Sequence, residues 1–191
     1  DGKTLVAQPH WSSPHDKASS IYKYIDGNWN KDASRGLNGT HSSISGDGNS
    51  VLAMLITHDA LPSDTEWNNQ LQVWRRAPDR STAFASIDWE QVGAGINGAV
   101  AQDLNGWPSV LSRDGSTVAC GPKDAVRVFR NVDDDWSPLG PDIAVEWTEG
   151  GGHPYKYRGL SLSESGDIVA IGVGSLTLGL VQVYRLVDNQ G

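Results

Sequence analysis

The sequence contains a single cysteine, Cys120, among its 191 residues, which excludes a framework of internal disulfides. It also lacks an apolar run long enough to cross a membrane. No basic stripe is visible of the kind that nucleic-acid-binding proteins need, and the formal net charge is -8. The acidic balance allows cations or basic partners, and it argues against a nucleic-acid partner.

Familiar catalytic patterns are missing as well. The sequence contains no nucleophile elbow, phosphate-binding loop, Cys-x-x-Cys pair or His-Glu-x-x-His pattern. These absences predict that the chain is not an enzyme.

The sequence is instead rich in glycine and tryptophan, with 22 glycines and 8 tryptophans beside 2 phenylalanines and 1 methionine. Aromatic strands punctuated by glycine are typical of all-β repeat proteins. Four segments align on a turn glycine, the first two with a one-residue slip. They are DGKTLVA from Asp1, DGNSVLAM from Asp47, DGSTVACG from Asp114 and SGDIVAIG from Ser165, where serine replaces aspartate. Their spacing is typical of one propeller blade per unit.

Each unit reads as four antiparallel strands, here called A to D. In the third unit they are SVLS from Ser109, TVACG from Thr117, AVRVF from Ala125 and WSPLG from Trp136. Apolar and polar residues alternate as in half-buried strands, and an Asp-Gly turn suits the A–B hairpin. The sequence therefore predicts an all-β, single-domain β-propeller of about four four-stranded blades, with units at about 1–40, 41–107, 108–158 and 159–191. The first unit lacks strand A and the last lacks strand D, which predicts part of a larger propeller.

Two motifs, WSPLGPDI at Trp136–Ile143 and SVLSRDG at Ser109–Gly115, resemble the integrin-like, FG-GAP-related repeats of secreted and cell-surface propellers in microalgae and marine bacteria. The resemblance implies an extracytoplasmic protein, with an organelle lumen as the alternative. It also implies calcium in the A–B loops. Here those loops are too short and carry too few carboxylates to supply six or more oxygen ligands, so we expect no cofactor.

Register across the units assigns several chemically attractive residues to the architecture. They are Cys120 on strand B, Trp74 on strand C, Asp133 in the C–D turn, and Trp29, Trp89 and Trp136 at the start of strand D. A buried thiol on strand B behaves as a small hydrophobe, and aspartate favours turns.

Other candidates fall in the B–C and D–A connections, which leave a propeller on one face. They are His10, Trp11, His15, His58, Asp59, Trp67, Asp103, Asn105, Trp107, Trp147 and His153. The histidines and carboxylates could bind a transition metal or act as acid and base, and the tryptophans could stack on sugars or proteins. The alternatives are ordinary loop polarity and blade caps. The long loops Ile56–Asn69 and Ala77–Asp88 of the second unit favour that unit for a partner contact.

Three functions remain open. The missing catalytic patterns favour a non-enzymatic interaction module that binds a protein or glycan outside the cytosol. The incomplete ring also fits an accessory structural subunit of a large complex, in an organelle lumen or at a membrane. A propeller lyase or glycoside hydrolase would need paired carboxylates or a metal at the mouth of the central channel.

Overall fold

A computed structural model describes residues 3–7, 18–31, 37–38, 40–57, 68–77, 89–97, 108–121, 125–145, 157–174 and 179–187. These residues form seventeen β-strands and no helix, which confirms the predicted all-β class. Within these segments, no helix is long and apolar enough to cross a membrane.

The strands form four antiparallel sheets in chain order, which we call blades 1 to 4. Blade 1 contains β1 (Thr4–Ala7), β2 (Ala18–Ile25), β3 (Asn28–Lys31) and β4 (Leu37–Asn38). Blade 2 contains β5 (Thr40–Ile44), β6 (Ser50–Thr57), β7 (Asn68–Arg76), β8 (Trp89–Gln91) and β9 (Ile96–Asn97). Blade 3 contains β10 (Ser109–Leu111), β11 (Thr117–Cys120), β12 (Ala125–Val132), β13 (Asp135–Pro138) and β14 (Ile143–Ala144). Blade 4 contains β15 (Tyr157–Leu162), β16 (Ile168–Gly174) and β17 (Gly179–Arg185).

All four blades share one register between strands B and C, with an aliphatic residue opposite an aromatic one. The equivalent cross-strand pairs are Leu5–Tyr22, Val51–Trp74, Val118–Phe129 and Val169–Tyr184. Such pairs are a main source of sheet stability. Because each aliphatic member stands three residues after its turn glycine, the predicted one-residue slip is wrong.

Strand D is divided by a bulge, whereas the sequence predicted one continuous strand. In blade 3, β13 and β14 both pair with β12, and residues 139–142 separate them. The Leu139 amide still donates to the Val128 carbonyl at 2.7 Å. Gly140 then takes a φ of 81°, and Gly93 takes a φ of 67° at the equivalent point of blade 2. Glycine adopts this left-handed conformation at little cost, which explains the Trp-x-x-x-Gly spacing.

The core lies between blades rather than within them. Blades 2 and 3 enclose Leu52, Leu71, Val73, Val92, Ile96, Leu111, Val118, Cys120 and Phe129, with Trp136 packed against them. Blades 3 and 4 enclose Ala119, Val126, Val145, Val169, Ile171 and Val173. A third cluster, Ile21 and Val51 with Trp74 and Trp89 against it, joins blades 1 and 2. Face-to-face packing of sheets around a common axis is the arrangement of a β-propeller.

Neighbouring A–B turns also touch one another. The Gly46 amide of blade 2 donates to the Arg113 carbonyl of blade 3 at 2.8 Å, and the Asp114 amide donates to the Glu164 carbonyl of blade 4 at 3.3 Å. The Arg113 and Glu164 side chains lie 3.5 Å apart. These contacts link the A–B turn of blade 2 to that of blade 3, and that of blade 3 to that of blade 4.

Candidate functional site

Each blade has two edges that differ chemically. The A–B and C–D turns lie along one, which we call the turn edge. The B–C and D–A connections leave from the opposite one, the loop edge, because consecutive strands are antiparallel. At the loop edge of blade 2, strand B ends at Thr57 and strand C begins at Asn68. The strands thus extend into the loop predicted at Ile56–Asn69.

The predicted binding residues all belong to connections at the loop edge, and all of them lie outside the described residues. They are His10, Trp11, His15, His58, Asp59, Trp67, Asp103, Asn105, Trp107, Trp147 and His153. The long segment predicted at Ala77–Asp88 lies outside the described residues after Ala77. The order of the described strands shows that all of these connections leave the blades from one edge, the loop edge.

The aspartates of the A–B turns are hydrogen-bonded within the turns themselves. Asp114 Oδ1 accepts hydrogen bonds from the Ser112 hydroxyl at 2.6 Å and from the Ser116 amide at 3.0 Å. Ser112 Oγ in turn accepts from the Thr117 amide at 2.9 Å. Asp47 makes the same contacts with Ser45 and Asn49, at 2.6 and 2.9 Å. Serine and aspartate together satisfy backbone groups that would otherwise have no partner at the turn.

Blade 4 builds the same turn from a different position. Ser165 occupies the place of the aspartate, but Asp167 supplies the carboxylate two residues later and accepts from both Ser163 and Ser165, at 2.7 and 2.6 Å. The Ile168 amide donates to Ser163 Oγ at 3.0 Å, as Thr117 does in blade 3. Sequence alignment missed this aspartate, although the spacing Ser-x-Ser-Gly-Asp contains it.

These contacts lower the pKa of each turn carboxyl. Burial acts to raise the pKa of Asp114, but hydrogen bonds from Ser112 and Ser116 outweigh it. The hydrogen bonds of Ser165 and Ser163 lower the pKa of Asp167. Carboxylates that are ionised and already hydrogen-bonded are poor candidates for general acids.

The acidic run at 133–135 forms part of a blade junction. Asp133 and Asp134 both take positive φ values, of 53° and 63°, in the C–D turn. Arg75 of blade 2 bridges Asp134 at 3.2 Å and Glu90 at 3.1 Å. Hydrogen bonds from Arg75 to Asp134 and Glu90 raise the pKa of its guanidinium. Among the residues described, no group of three histidine, cysteine or acidic side chains could hold a metal ion.

Cys120 is buried between blades 2 and 3, with 1% of its surface exposed. Burial raises the pKa of its thiol to about 12. Because the thiolate is the nucleophile, a thiol that stays protonated is inert. Its predicted structural role agrees with this environment.

A groove of about 460 Å³ separates blade 3 from blade 4. One wall is the bulged strand D of blade 3, from Leu139 to Ala144, and the other is formed by Tyr184–Val187, at the end of β17 and just after it. The equivalent space between blades 2 and 3 is filled by Trp136, whose Nε1 donates to the Val92 carbonyl at 2.9 Å.

Three solved structures are similar to this chain. A periplasmic gluconolactonase from Pseudomonas aeruginosa matches 96% of the chain with a TM-score of 0.56 and 14% identity, over 50% of its own length. TolB from Acinetobacter baumannii matches 97% with a TM-score of 0.46 and 14% identity, over 38% of its length. A protein from Bacteroides uniformis, provisionally assigned as a 6-phosphogluconolactonase, matches 97% with a TM-score of 0.43 and 12% identity, over 65% of its length.

No protein-family model matches the sequence, and no curated protein is significantly similar to it. The likeness to the gluconolactonase supports the β-propeller fold, and the chain spans half of that protein's length. The predictions of a non-enzymatic interaction module and of a chain that is not an enzyme are contradicted, because a solved chain that shares its fold is named as a gluconolactonase.

Proposed function

We propose that the chain is part of a propeller enzyme that hydrolyses lactones of sugar acids. The observation that carries the proposal is the fold shared with the periplasmic gluconolactonase over 96% of the chain. Because the chain spans half of that protein, we also propose that its loop edge forms part of the active site, and that the whole site needs further blades.

Lactone hydrolysis needs few chemical groups. A general base takes a proton from water, the water oxygen adds to the ring carbonyl, and the bond between that carbon and the ring oxygen then breaks. The ring oxygen receives a proton, and the product is a hydroxy acid. Histidine titrates near neutral pH and can serve as the base, while hydrogen-bond donors stabilise the oxyanion.

We propose that the connections of the loop edge supply the side chains for this reaction, because Asp47 and Asp114 of the turn edge are already hydrogen-bonded within their turns. We propose His10, His15 and His58 as candidate bases, with Asp59 or Asp103 to orient them. The tryptophans Trp11, Trp67, Trp107 and Trp147 would stack on the sugar-like ring, and Asn105 and His153 would contribute hydrogen bonds.

The test is the release of acid from glucono-1,5-lactone at constant pH by the complete propeller that we propose this chain to be part of, corrected for spontaneous hydrolysis. We expect a rate above the background, and a loss of about 100-fold or more when the base is replaced, in one of His10→Ala, His15→Ala and His58→Ala. Asp26→Asn is the matched control, since Asp26 lies in an exposed turn at the opposite edge and asparagine tolerates its φ of 51°. A rate equal to the background in the presence of added divalent metals, with the fold intact, would refute the proposal.

We further propose an extracytoplasmic setting, secreted or at the cell surface, in keeping with the periplasmic name of the structural neighbour. The repeat would be of the integrin-like, FG-GAP-related type. The hydrogen-bonded state of Asp47 and Asp114 supports a repeat without calcium in its A–B turns. The partner would be a small sugar-derived molecule, and nucleic acid is not expected.

A further inference from the structure

Three Asp-Gly pairs lie among the described residues, and they occupy two kinds of turn. Asp47–Gly48 and Asp114–Gly115 belong to A–B turns, whereas Asp26–Gly27 forms the C–D turn of blade 1. An Asp-Gly pair can rearrange without an enzyme, because glycine has no side chain to shield its amide nitrogen from the aspartate carboxyl. In a folded protein, the reaction depends on what holds these two groups.

The A–B turns hold both of them. In blade 3, the Ser112 hydroxyl donates to the Asp114 carboxylate at 2.6 Å, and the Gly115 amide donates to the Ser112 carbonyl at 3.0 Å. A Cβ on Gly115 would lie 2.8 Å from Ser50 Oγ, so blade 2 packs against this turn. The A–B turn of blade 2 repeats both hydrogen bonds at the same distances. The nitrogen and the carboxyl carbon can therefore meet only after these hydrogen bonds break.

The C–D turn of blade 1 leaves both groups accessible. Asp26 and Gly27 are the central residues of a two-residue hairpin loop, with φ values of 51° and 82°. Both residues are exposed, and a Cβ on Gly27 would have no atom of the described chain within 4 Å. The Asn28 side chain donates to the Asp26 main-chain carbonyl at 3.2 Å rather than to its carboxyl. Within the described segments, the Gly27 amide has no acceptor in the main chain.

This exposure is a property of the turn and does not require an uncovered blade. In blade 3, Asp133 and Asp134 take the same two positions, with φ values of 53° and 63°. Arg75 of blade 2 bridges Asp134 at 3.2 Å, yet Asp133 stays exposed. A neighbouring blade therefore contacts the second residue of such a turn without covering the first carboxyl.

We propose that Asp26–Gly27 is a site of spontaneous aspartate isomerisation, and that the A–B turns protect Asp47 and Asp114 from the same reaction. The Gly27 nitrogen bonds to the side-chain carboxyl carbon of Asp26, and the carboxyl hydroxyl leaves with the amide proton as water. The product is a cyclic succinimide. Water then adds to the former main-chain carbonyl carbon, its bond to nitrogen breaks, and the nitrogen takes up a proton. The result is isoaspartate, with no net change in mass.

Isomerisation changes the hairpin as well as the residue. The main chain now runs through the side chain of Asp26, so it is longer by one carbon atom. A two-residue loop of this type sets the register of the strands that it joins, here β2 and β3. That register pairs Tyr24 with Trp29, whose rings lie 5.3 Å apart. We therefore expect isomerisation to loosen this aromatic pair.

The test incubates the folded protein at mildly acidic pH, because the neutral carboxyl is the form that loses water. Peptide mapping follows the three pairs over time, and electron-transfer fragmentation distinguishes isoaspartate from aspartate. We expect Asp26 to react at least about tenfold faster than Asp47 or Asp114, because the latter must first lose hydrogen bonds to a charged group. Incubation in concentrated urea is the matched control: without the turns, the three pairs should react at similar rates.

A variant transfers the site to blade 3. Asp134→Gly creates an Asp-Gly pair in the equivalent turn, and glycine readily adopts the φ of 63°. Asp133 should then isomerise at a rate similar to that of Asp26. Asp134→Asn is the control, since it also removes the carboxylate that binds Arg75 but creates no such pair, so Asp133 should stay slow.

Two results would overturn the proposal. One is an equal rate at the three pairs in the folded protein, and the other is an advantage of Asp26 that persists undiminished in urea. The first would show that the A–B turns give no protection, and the second that local sequence alone sets the rate. An unreacted Asp133 in folded Asp134→Gly would also contradict it.

Discussion

The junction between blades 2 and 3 and the junction between blades 3 and 4 follow one plan but end differently. In both, strands A and B meet near the axis and enclose aliphatic side chains. At the first junction, Trp136 reaches across and binds the bulge of the neighbouring blade. At the second, a groove remains. Among the described residues, the inner halves of both junctions are packed, whereas the outer half is filled only at the first junction, by Trp136 of strand D.

The bulge glycines show the same contrast. A Cβ on Gly93 would lie 2.0 Å from the Asp134 carbonyl oxygen, so the C–D turn of blade 3 lies directly against blade 2. A Cβ on Gly140 would have no atom of the described chain within 4 Å. The two glycines have similar backbones, but only one of them is covered by the next blade.

The largest effect should come from removing the tryptophan that closes the first junction. Trp136→Ala should lower the free energy of unfolding by about 3 kcal/mol, because it opens a cavity and leaves the Val92 carbonyl without its donor. Trp29→Ala is the control, since Trp29 is 48% exposed in blade 1 and should cost about 1 kcal/mol. Urea unfolding measures both, and equal losses would show that Trp136 does not close the junction.

The bulge glycines provide a smaller, cleaner comparison. Gly140→Ala should cost about 1–2 kcal/mol from its left-handed backbone alone. Gly93→Ala carries the same backbone cost and in addition displaces Asp134, so it should be worse by at least about 1 kcal/mol. Thermal or urea unfolding of the two variants gives the difference. If both lose the same stability, the contact between Gly93 and the C–D turn contributes nothing.

The smallest expected effect is a loss of folding stability at low pH. The folded pKa of Asp114 lies below its unfolded value, so its contribution to stability is present above the unfolded value near 4 and is lost as pH falls through the folded pKa. Unfolding measured from pH 7 down to pH 3 should show this loss. Asp114→Asn should flatten that part of the profile. If the free energy of unfolding of this variant falls with pH as steeply as that of the original protein, the turn aspartate does not contribute to acid sensitivity.

Much of the fold could be predicted from the sequence because propeller blades are periodic. The repeated turn glycine and the alternation of strand C were enough to identify strands A to D and to place Cys120 inside. The division of strand D was not predicted because its signal, a glycine four residues after the tryptophan that opens the strand, is present in only two units, at Gly93 and Gly140. Asp167 was not predicted because the alignment compared equivalent positions of the repeat. The carboxylate that binds the turn serine stands two residues after that serine in blade 3, at Asp114, but four residues after it in blade 4, at Asp167.

The sequence predicted the edge of the blades at which the candidate site lies, but not its chemistry. The antiparallel order of the strands determines which edge carries the B–C and D–A connections, since consecutive strands turn at alternate ends. It does not fix the chemistry of the connections, because residues such as His10 and His58 follow no repeat. The non-enzymatic function was therefore predicted from missing motifs, and the fold shared with a gluconolactonase contradicts that prediction. One fold can carry many functions, so missing motifs do not decide between them.

The hydrogen bonds between successive A–B turns have a consequence for how the molecule unfolds. Among the described residues, the A–B turns of blades 2, 3 and 4 bond to the turns beside them, so each of these blades is stabilised by its nearest neighbours. When repeated units stabilise one another in this way, unfolding of one unit weakens the units beside it. Blade 3 is bonded on both sides, through Arg113 and Asp114, so a substitution that unfolds blade 3 should speed amide hydrogen exchange in both blade 2 and blade 4.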